Sequence, residues 1–235
     1  MDERPTPATS LTRFPSPAAA IVDIASVAPI FESIISPATI MIKLSPLHNI
    51  HSIGSYGNYE NKDEKNLIKI LEVKDLLIVQ LVQYKNSLLK IEDLEVDGLK
   101  LNNQALTVTC NKNTRILWNS PKNWLLMSIN KDLIKKINET FKESDFAATD
   151  LSHSRSIIEI EGKNAKEVLK KGCPFNFNSF SKNSCTNSIY NGISFSADMV
   201  EENPDKIRLI TLRSFGESFY HSITDASLEF GYKAI

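Results

Sequence analysis

The chain has 235 residues, of which 42% are hydrophobic and 23% are charged, and its formal net charge is −1. These values are typical of a globular protein and exclude a fibrous or wholly disordered chain. Because no basic block dominates and no apolar run approaches the ~20 residues of a membrane span, the sequence favours neither nucleic-acid binding nor membrane insertion.

Residues 1–40 differ in composition from residues 41–235. They contain six of the ten prolines and no Lys or Asn, whereas the longer segment is rich in Lys, Asn and Ile and begins at a methionine, Met41. Four acidic residues against two arginines argue against a transit peptide. We expect a leader of low order, arising from a misassigned start or an added extension. Residues 41–235 are expected to form the folded domain, with subdomains of about 41–145 and 146–235 as an open possibility.

The first half of this domain reads mainly as strands. The apolar pattern over residues 67–84 predicts two strands broken near residues 74–75, which we interpret as a β-hairpin. Asp97-Gly98 marks a turn before predicted strands at residues 105–110 and 114–118. The segment from Trp118 to Trp124 then predicts a strand-turn-strand unit.

One helix is predicted over residues 130–143. Leu133, Ile137 and Phe141 recur on one face at helical spacing, and Asn130 is a suitable N-cap.

The second half alternates strands and helices. Residues 156–161 predict a strand, followed by a short helix that Asn164 caps and Gly172 ends in the left-handed conformation. A further strand at residues 206–212 and a last helix over residues 214–230 complete the prediction.

This order predicts an α+β fold of mixed, largely antiparallel sheets with packed helices, rather than a doubly wound parallel sheet. None of the eight glycines lies in G-x-G-x-x-G or in a P-loop motif. The chain therefore lacks the usual backbone cradle for a nucleotide phosphate.

Several motifs resemble known families. The segment 150–153, the alternating strand after it, Gly162 and Asn164-Ala165 are similar to part of the folate-dependent aminomethyltransferases. A narrower resemblance, from about residue 44 to residue 232, is to the gamma subunit of heterotetrameric sarcosine oxidase. It rests on the order of these segments: 115–126, 150–155, 171–174, 184–185 and 213–215.

The resemblance implies a folate-binding, aminomethyltransferase-like fold and an accessory role in a four-subunit enzyme. Such complexes oxidise sarcosine to glycine and produce hydrogen peroxide. The other product is formaldehyde or, when tetrahydrofolate is present, methylenetetrahydrofolate. FAD, FMN, NAD and tetrahydrofolate are expected on other subunits and no cofactor on this chain. The implied partners are the alpha, beta and delta subunits, in the cytoplasm, with no nucleic acid or membrane.

The chain departs from true aminomethyltransferases near their catalytic acid. Those enzymes carry an acidic residue after a glycine-containing strand, and Asp198 is the nearest equivalent here. We interpret it as a solvated turn carboxylate rather than a catalytic group. A stand-alone folate-binding or aminomethyltransferase-like protein remains the alternative.

No catalytic, cofactor-binding or metal-binding residue is predicted. Cys110, Cys173 and Cys185 form no CxxC pair and are expected to be free thiols, which suits a reducing cytosol. Asp150 and Ser152 are explained by a local turn. The histidines are too dispersed for a metal site; they are His48, His51, His153 and His221.

Four residues are candidates for an interface with another chain. Trp118 and Trp124 flank a proline turn and could either close the core or anchor a partner. Arg155 and Arg213 carry guanidinium groups that pair with carboxylates and tolerate partial burial, so each could pair with a partner or within the fold.

Overall fold

Fourteen strands and three α-helices occur in residues 44–60 and 62–235, the part of the chain that this computed structural model describes. The leader predicted over residues 1–40 lies outside these residues, and Leu44–Ile235 forms one compact unit. The helices are α1 (Leu133–Thr140), α2 (Ala165–Lys170) and α3 (Gly216–Ser227). The strands are β1 (Gly54–Tyr56), β2 (Ile68–Glu72), β3 (Leu77–Gln83), β4 (Glu95–Val96), β5 (Leu99–Lys100), β6 (Val108–Cys110), β7 (Thr114–Ser120), β8 (Asn123–Ser128), β9 (Phe146–Asp150), β10 (Arg155–Glu161), β11 (Cys185–Tyr190), β12 (Ile193–Glu201), β13 (Lys206–Leu212) and β14 (Tyr232–Ala234).

The strands form two large sheets. Sheet A has seven strands in the order β1-β14-β2-β10-β13-β12-β11, and sheet B has five in the order β6-β7-β8-β3-β9. Strands β4 and β5 form a separate hairpin. Among the described strands every pairing is antiparallel except that of β14 with β2. The predicted α+β class with largely antiparallel sheets is confirmed.

Three hydrophobic cores separate four layers. One lies between sheet A and helices α2 and α3, a second between the two sheets, and a third between sheet B and α1. Strand β10 shows how the sequence does this, because Ile158 and Ile160 join the helix-side core while Ile157 joins the core between the sheets. The face of β10 toward the helices is thus largely apolar, whereas its face toward sheet B carries Ile157 between the charged residues Arg155 and Glu159.

The predicted hairpin over residues 67–84 is wrong in its pairing. Both strands exist, but β2 lies in sheet A between β14 and β10, whereas β3 lies in sheet B between β8 and β9. The backbone N–H of Val73 still donates to the carbonyl of Ile157 at 3.0 Å before the chain crosses to the other sheet. Periodicity identifies a strand but not the partner that will satisfy its edges.

Two turns were predicted correctly, one as a turn alone and one within a strand-turn-strand unit. Asp97 and Gly98 have φ angles of 53° and 75°, the left-handed pair that joins β4 to β5 in a tight turn. Strands β7 and β8 pair around Lys122, with Trp118 opposite Trp124. The strand predicted at residues 206–212 coincides with β13.

Helix ends were predicted less well. Helix α1 begins at Leu133 with Asp132 at its N-cap position, and the side chain of Asn130 accepts the Asp132 N–H at 3.1 Å in the turn just before the helix. Asn164 occupies the N-cap position of α2 but makes no capping hydrogen bond with its side chain. Helix α3 is also shorter than predicted, because a 3-10 turn, Arg213–Phe215, precedes it.

The left-handed conformation predicted for Gly172 is wrong, since this residue is absent from the positive-φ glycines of the chain. Space explains the glycine instead. A Cβ atom at position 172 would lie 2.7 Å from the Oδ1 atom of Asn191 and 2.7 Å from Cζ of Tyr190. The backbone N–H of Asn191 donates to the Gly172 carbonyl at 3.0 Å, so the end of α2 lies directly against the end of β11.

Candidate functional site

The face of sheet A that meets sheet B is organised in rows of side chains that cross the strands. One row contains four residues that are registered neighbours on β11, β12, β13 and β10: Cys185, Asp198, Arg208 and Glu159. This row brings the one candidate for a catalytic acid, Asp198, beside a thiol and a guanidinium group.

Asp198 is paired with an arginine of the opposite sheet. It is fully buried, and Arg115 on β7 donates from Nε to Oδ2 at 2.7 Å and from Nη2 to Oδ1 at 2.6 Å. Burial alone lowers the pKa of the Arg115 guanidinium, but the hydrogen bonds and charge of Asp198 outweigh it and raise that pKa above its ordinary value. A bidentate pair of this kind fixes both distance and orientation, so it clamps sheet A to sheet B.

The interpretation of Asp198 as a solvated turn carboxylate is therefore wrong. The residue lies within β12, in the layer between the sheets, because alternation places it on the face opposite Ala197 and Met199. A general base must reach the proton that it accepts. Here both carboxylate oxygens are occupied by Arg115, whose part in the site the sequence analysis missed.

The neighbouring thiol is also enclosed. Cys185 is buried, and its Sγ donates to the carbonyl oxygens of Trp118 at 3.3 Å and Thr107 at 3.4 Å. Burial raises the pKa of this thiol to about 12, and the charge of Asp198 acts in the same direction. Since the thiolate is the nucleophile, Cys185 is unreactive at neutral pH.

Arg208 completes the row with a second ion pair. Its Nη2 donates to Glu159 Oε2 at 3.0 Å, whereas its buried Nε has no hydrogen-bond partner among the described residues. Lys206 extends the charges along the sheet, with its Nζ 2.9 Å from Glu161. The polar end of the layer between the sheets thus consists of cross-strand ion pairs.

At the opposite end of the same layer an open groove of about 460 Å³ lies between the sheets. Sheet A contributes Ser194, Leu212 and Arg155, and sheet B contributes Gln80 and Leu125. Arg155 is the one charged residue among the described residues that line the groove. Of the four interface candidates, it is the one that the fold places at a cavity.

The other three candidates lie elsewhere. Trp124 is 1% exposed and its Nε1 donates to the Asn102 carbonyl at 2.7 Å, which favours the core role of the two weighed for it. Trp118 packs partly against the core between the sheets, and its buried Nε1 has no partner among the described residues. Arg213 is exposed and donates from Nη2 to the Leu44 carbonyl at 2.6 Å.

The turn predicted at Asp150 and Ser152 is present. The backbone N–H of Ser152 donates to Asp150 Oδ1 at 2.8 Å, and the Ser152 hydroxyl accepts the Ile78 N–H at 2.9 Å, which ties the turn to sheet B. His51 contacts the Tyr220 hydroxyl through Nδ1 at 2.9 Å.

In residues 44–60 and 62–235, no cluster of three or more His, Cys, Asp or Glu side chains is arranged to hold a metal ion. No helix in this part of the chain has the length and apolar character to cross a membrane.

Comparison with known proteins gives a family. The sequence model of the sarcosine oxidase, gamma subunit family matches residues 94–229, which is more than half of the chain. No curated protein sequence matches.

Solved structures that are similar to this chain include the following two. One is the heterotetrameric sarcosine oxidase from Corynebacterium sp. U-96 in complex with pyrrole 2-carboxylate, with 22% identity and a TM-score of 0.68 over 80% of this chain and 96% of that chain. At this identity the likeness shows a shared fold. The other is the glycine cleavage system aminomethyltransferase T from Bartonella henselae, with 10% identity and a TM-score of 0.49 over 73% of this chain and 48% of that chain.

Proposed function

We propose a function on one premise: the chain belongs to the sarcosine oxidase gamma subunit family. On this proposal it is the gamma subunit of a heterotetrameric sarcosine oxidase. The family match over residues 94–229 is the observation that carries the proposal. The subunit is accessory, and its task is to hold the larger chains in place.

The complex demethylates sarcosine oxidatively. Its products are glycine and hydrogen peroxide, together with formaldehyde or, in the presence of tetrahydrofolate, methylenetetrahydrofolate. The alpha, beta and delta subunits are the partners, and the alpha and beta subunits carry FAD, FMN, NAD and tetrahydrofolate. The assembly acts in the cytoplasm.

The chemistry between the sheets supports an accessory role. The Asp198 carboxylate is buried and occupied by Arg115, and the Cys185 thiol is protonated at neutral pH. Both groups are therefore enclosed within the fold rather than open to a substrate. A rigid pair of clamped sheets suits a subunit that offers a fixed surface to larger chains.

Co-expression tests the proposal. The full chain, tagged, is produced with the candidate alpha, beta and delta chains, and size-exclusion fractions are assayed for flavin absorbance and for sarcosine-dependent hydrogen peroxide. We expect the tagged chain to elute with a yellow, active peak. Elution alone and without colour, beside an oxidase that assembles fully active, would contradict the proposal.

A second measurement addresses the alternative of a stand-alone folate enzyme. Tetrahydrofolate is titrated into the isolated chain by calorimetry, and any turnover is compared with that of Asp198→Asn. We expect no binding to the isolated chain. Binding, with turnover that Asp198→Asn abolishes while circular dichroism shows the variant to be folded, would replace the accessory role with a catalytic one.

A further inference from the structure

The groove borders a row of side chains that sheet B does not cover. This outer row comprises four residues on β11, β12, β13 and β10: Ile189, Ser194, Leu212 and Arg155. The register pairs Ile189 with Ser194 and Leu212 with Arg155, and the pairing of β12 with β13 sets Ser194 beside Leu212. All four side chains lie on the face of sheet A that is turned toward sheet B.

The row next to it behaves differently. It contains Asn187, Ser196, Ile210 and Ile157 in the same strand order. Ile210 and Ile157 are buried in the core between the sheets. In the outer row, two residues further along each strand, Ile189 is 49% exposed and Leu212 is 43% exposed. The outer row is therefore the place where sheet A projects beyond the cover of sheet B.

The two exposed aliphatic side chains of this row, Ile189 and Leu212, lie two strands apart on the same face of sheet A. They flank Ser194, which is itself exposed. Strand β11 is also an edge strand of sheet A, so the row ends at an open sheet edge.

The positive charge of the outer row, on Arg155, has no acidic partner among the described residues. The Arg155 guanidinium is half-buried and donates through Nη1 to the carbonyl and the hydroxyl of Ser154, at 3.3 and 3.2 Å. No acidic residue occurs among the described residues that line the groove. Burial lowers the pKa of this guanidinium, because its charged form loses solvation and no anion nearby offsets that loss.

We infer that the outer row and its groove are a docking surface for another subunit of the complex. The occupant is a segment of that subunit with an Asp or Glu side chain for Arg155 and aliphatic side chains for Ile189 and Leu212. This inference rests on the proposed function. Arginine is enriched in interfaces and among the residues that dominate their binding energy.

A small anion explains less of this surface. It would use Arg155 but leave Ile189 and Leu212 exposed. A protein segment satisfies the charge and covers both aliphatic side chains at once.

The test uses charge reversal in the full chain. Arg155→Glu and, separately, Ile189→Asp are co-expressed with the alpha, beta and delta chains to test assembly. Each variant is also purified alone, and its affinity for the assembly of the other three chains is measured. Arg155→Glu places like charges together, and Ile189→Asp places a charge against aliphatic side chains, so both changes oppose association. We expect each variant to bind at least about tenfold more weakly than the parent. Two exposed positions outside the groove supply matched controls, Lys135→Glu for charge and Leu88→Asp for an aliphatic residue, and both should bind as the parent does.

The outcomes separate the two proposals. Circular dichroism melting of each isolated variant first shows that it is folded, and Ile189→Asp tests the surface independently if Arg155→Glu fails to fold. A parent chain that does not join the assembly refutes the proposed function. A parent that joins, with Arg155→Glu and Ile189→Asp binding equally well, refutes the docking surface alone. A dimer of the isolated chain that Arg155→Glu disperses would assign the surface to a second copy and overturn the inference.

Discussion

At the scale of single residues, the Arg115–Asp198 pair is the most informative contact. It joins two sheets across a layer that is otherwise apolar at its centre, where Ile78, Leu117 and Ile210 pack together. A buried pair of charges gives little net stability compared with apolar residues, but the loss of one partner leaves the other charge buried and unpaired.

Asp198→Asn should therefore destabilise the chain. We expect the free energy of unfolding, measured by urea denaturation, to fall by about 3–5 kcal/mol, because Arg115 keeps its charge and loses its carboxylate. The double variant Arg115→Met with Asp198→Leu should recover most of that loss.

Lys135→Gln is the control for this prediction. Lys135 pairs with Asp132 at 3.4 Å, but the two side chains are 76% and 80% exposed, so no measurable loss is expected. Equal stability of Asp198→Asn and the parent would show that the pair does not hold the sheets together.

The thiols provide a second prediction at this scale. Cys185, with its pKa raised to about 12 chiefly by burial, should resist iodoacetamide at pH 8 in the folded chain. Peptide mass spectrometry should find it unmodified under native conditions and modified in denaturant. Rapid modification in the folded chain would mean that the layer between the sheets opens readily.

At the scale of elements, local rules worked where the requirement is local. The turn at Asp97-Gly98 needs two left-handed residues, and the sequence supplies them. Gly172 shows the limit, because its requirement comes from Tyr190 and Asn191 at the end of β11. The same residue type thus meets a conformational need at one position and a spatial need at another.

Alanine substitutions should separate these two needs. Gly172→Ala introduces a Cβ into occupied space and should lower the free energy of unfolding by about 1–3 kcal/mol. Gly98→Ala meets no atom within 4 Å, and only its φ of +75° opposes it, which costs about 1 kcal/mol. Urea denaturation of both variants tests the order, and a smaller loss for Gly172→Ala would show that β11 can move away from α2.

At the scale of the whole molecule, the sheets do not divide near residue 145. Strands β1 and β2 belong to sheet A with strands from the second half of the chain, and β9 returns to sheet B beside β3. The core between the sheets draws on both sheets, so neither is covered without the other.

The described unit should therefore unfold in one step. Trp118 and Trp124 lie on β7 and β8, so tryptophan fluorescence reports on sheet B, whereas far-ultraviolet circular dichroism reports on all elements. We expect the two signals to give coincident transitions in urea. A fluorescence transition at clearly lower urea would support the two subdomains considered for residues 41–145 and 146–235.

The sequence by itself determined the α+β class, the positions of β10 and β13 and the hairpin turns, because alternation and turn chemistry act over a few neighbouring residues. The motifs of a family are short segments in a fixed order along the chain, which is why the resemblance to the sarcosine oxidase gamma subunit family could be recognised before the fold.

Only the tertiary structure decided that β2 and β3 lie in different sheets, since the pairing of a strand depends on which strand edge needs hydrogen bonds. It also decided the pairing of Arg115 with Asp198, 83 positions apart, and the assembly of the outer row from four strands. Such contacts depend on register between distant segments, and a single sequence carries no local signal for them.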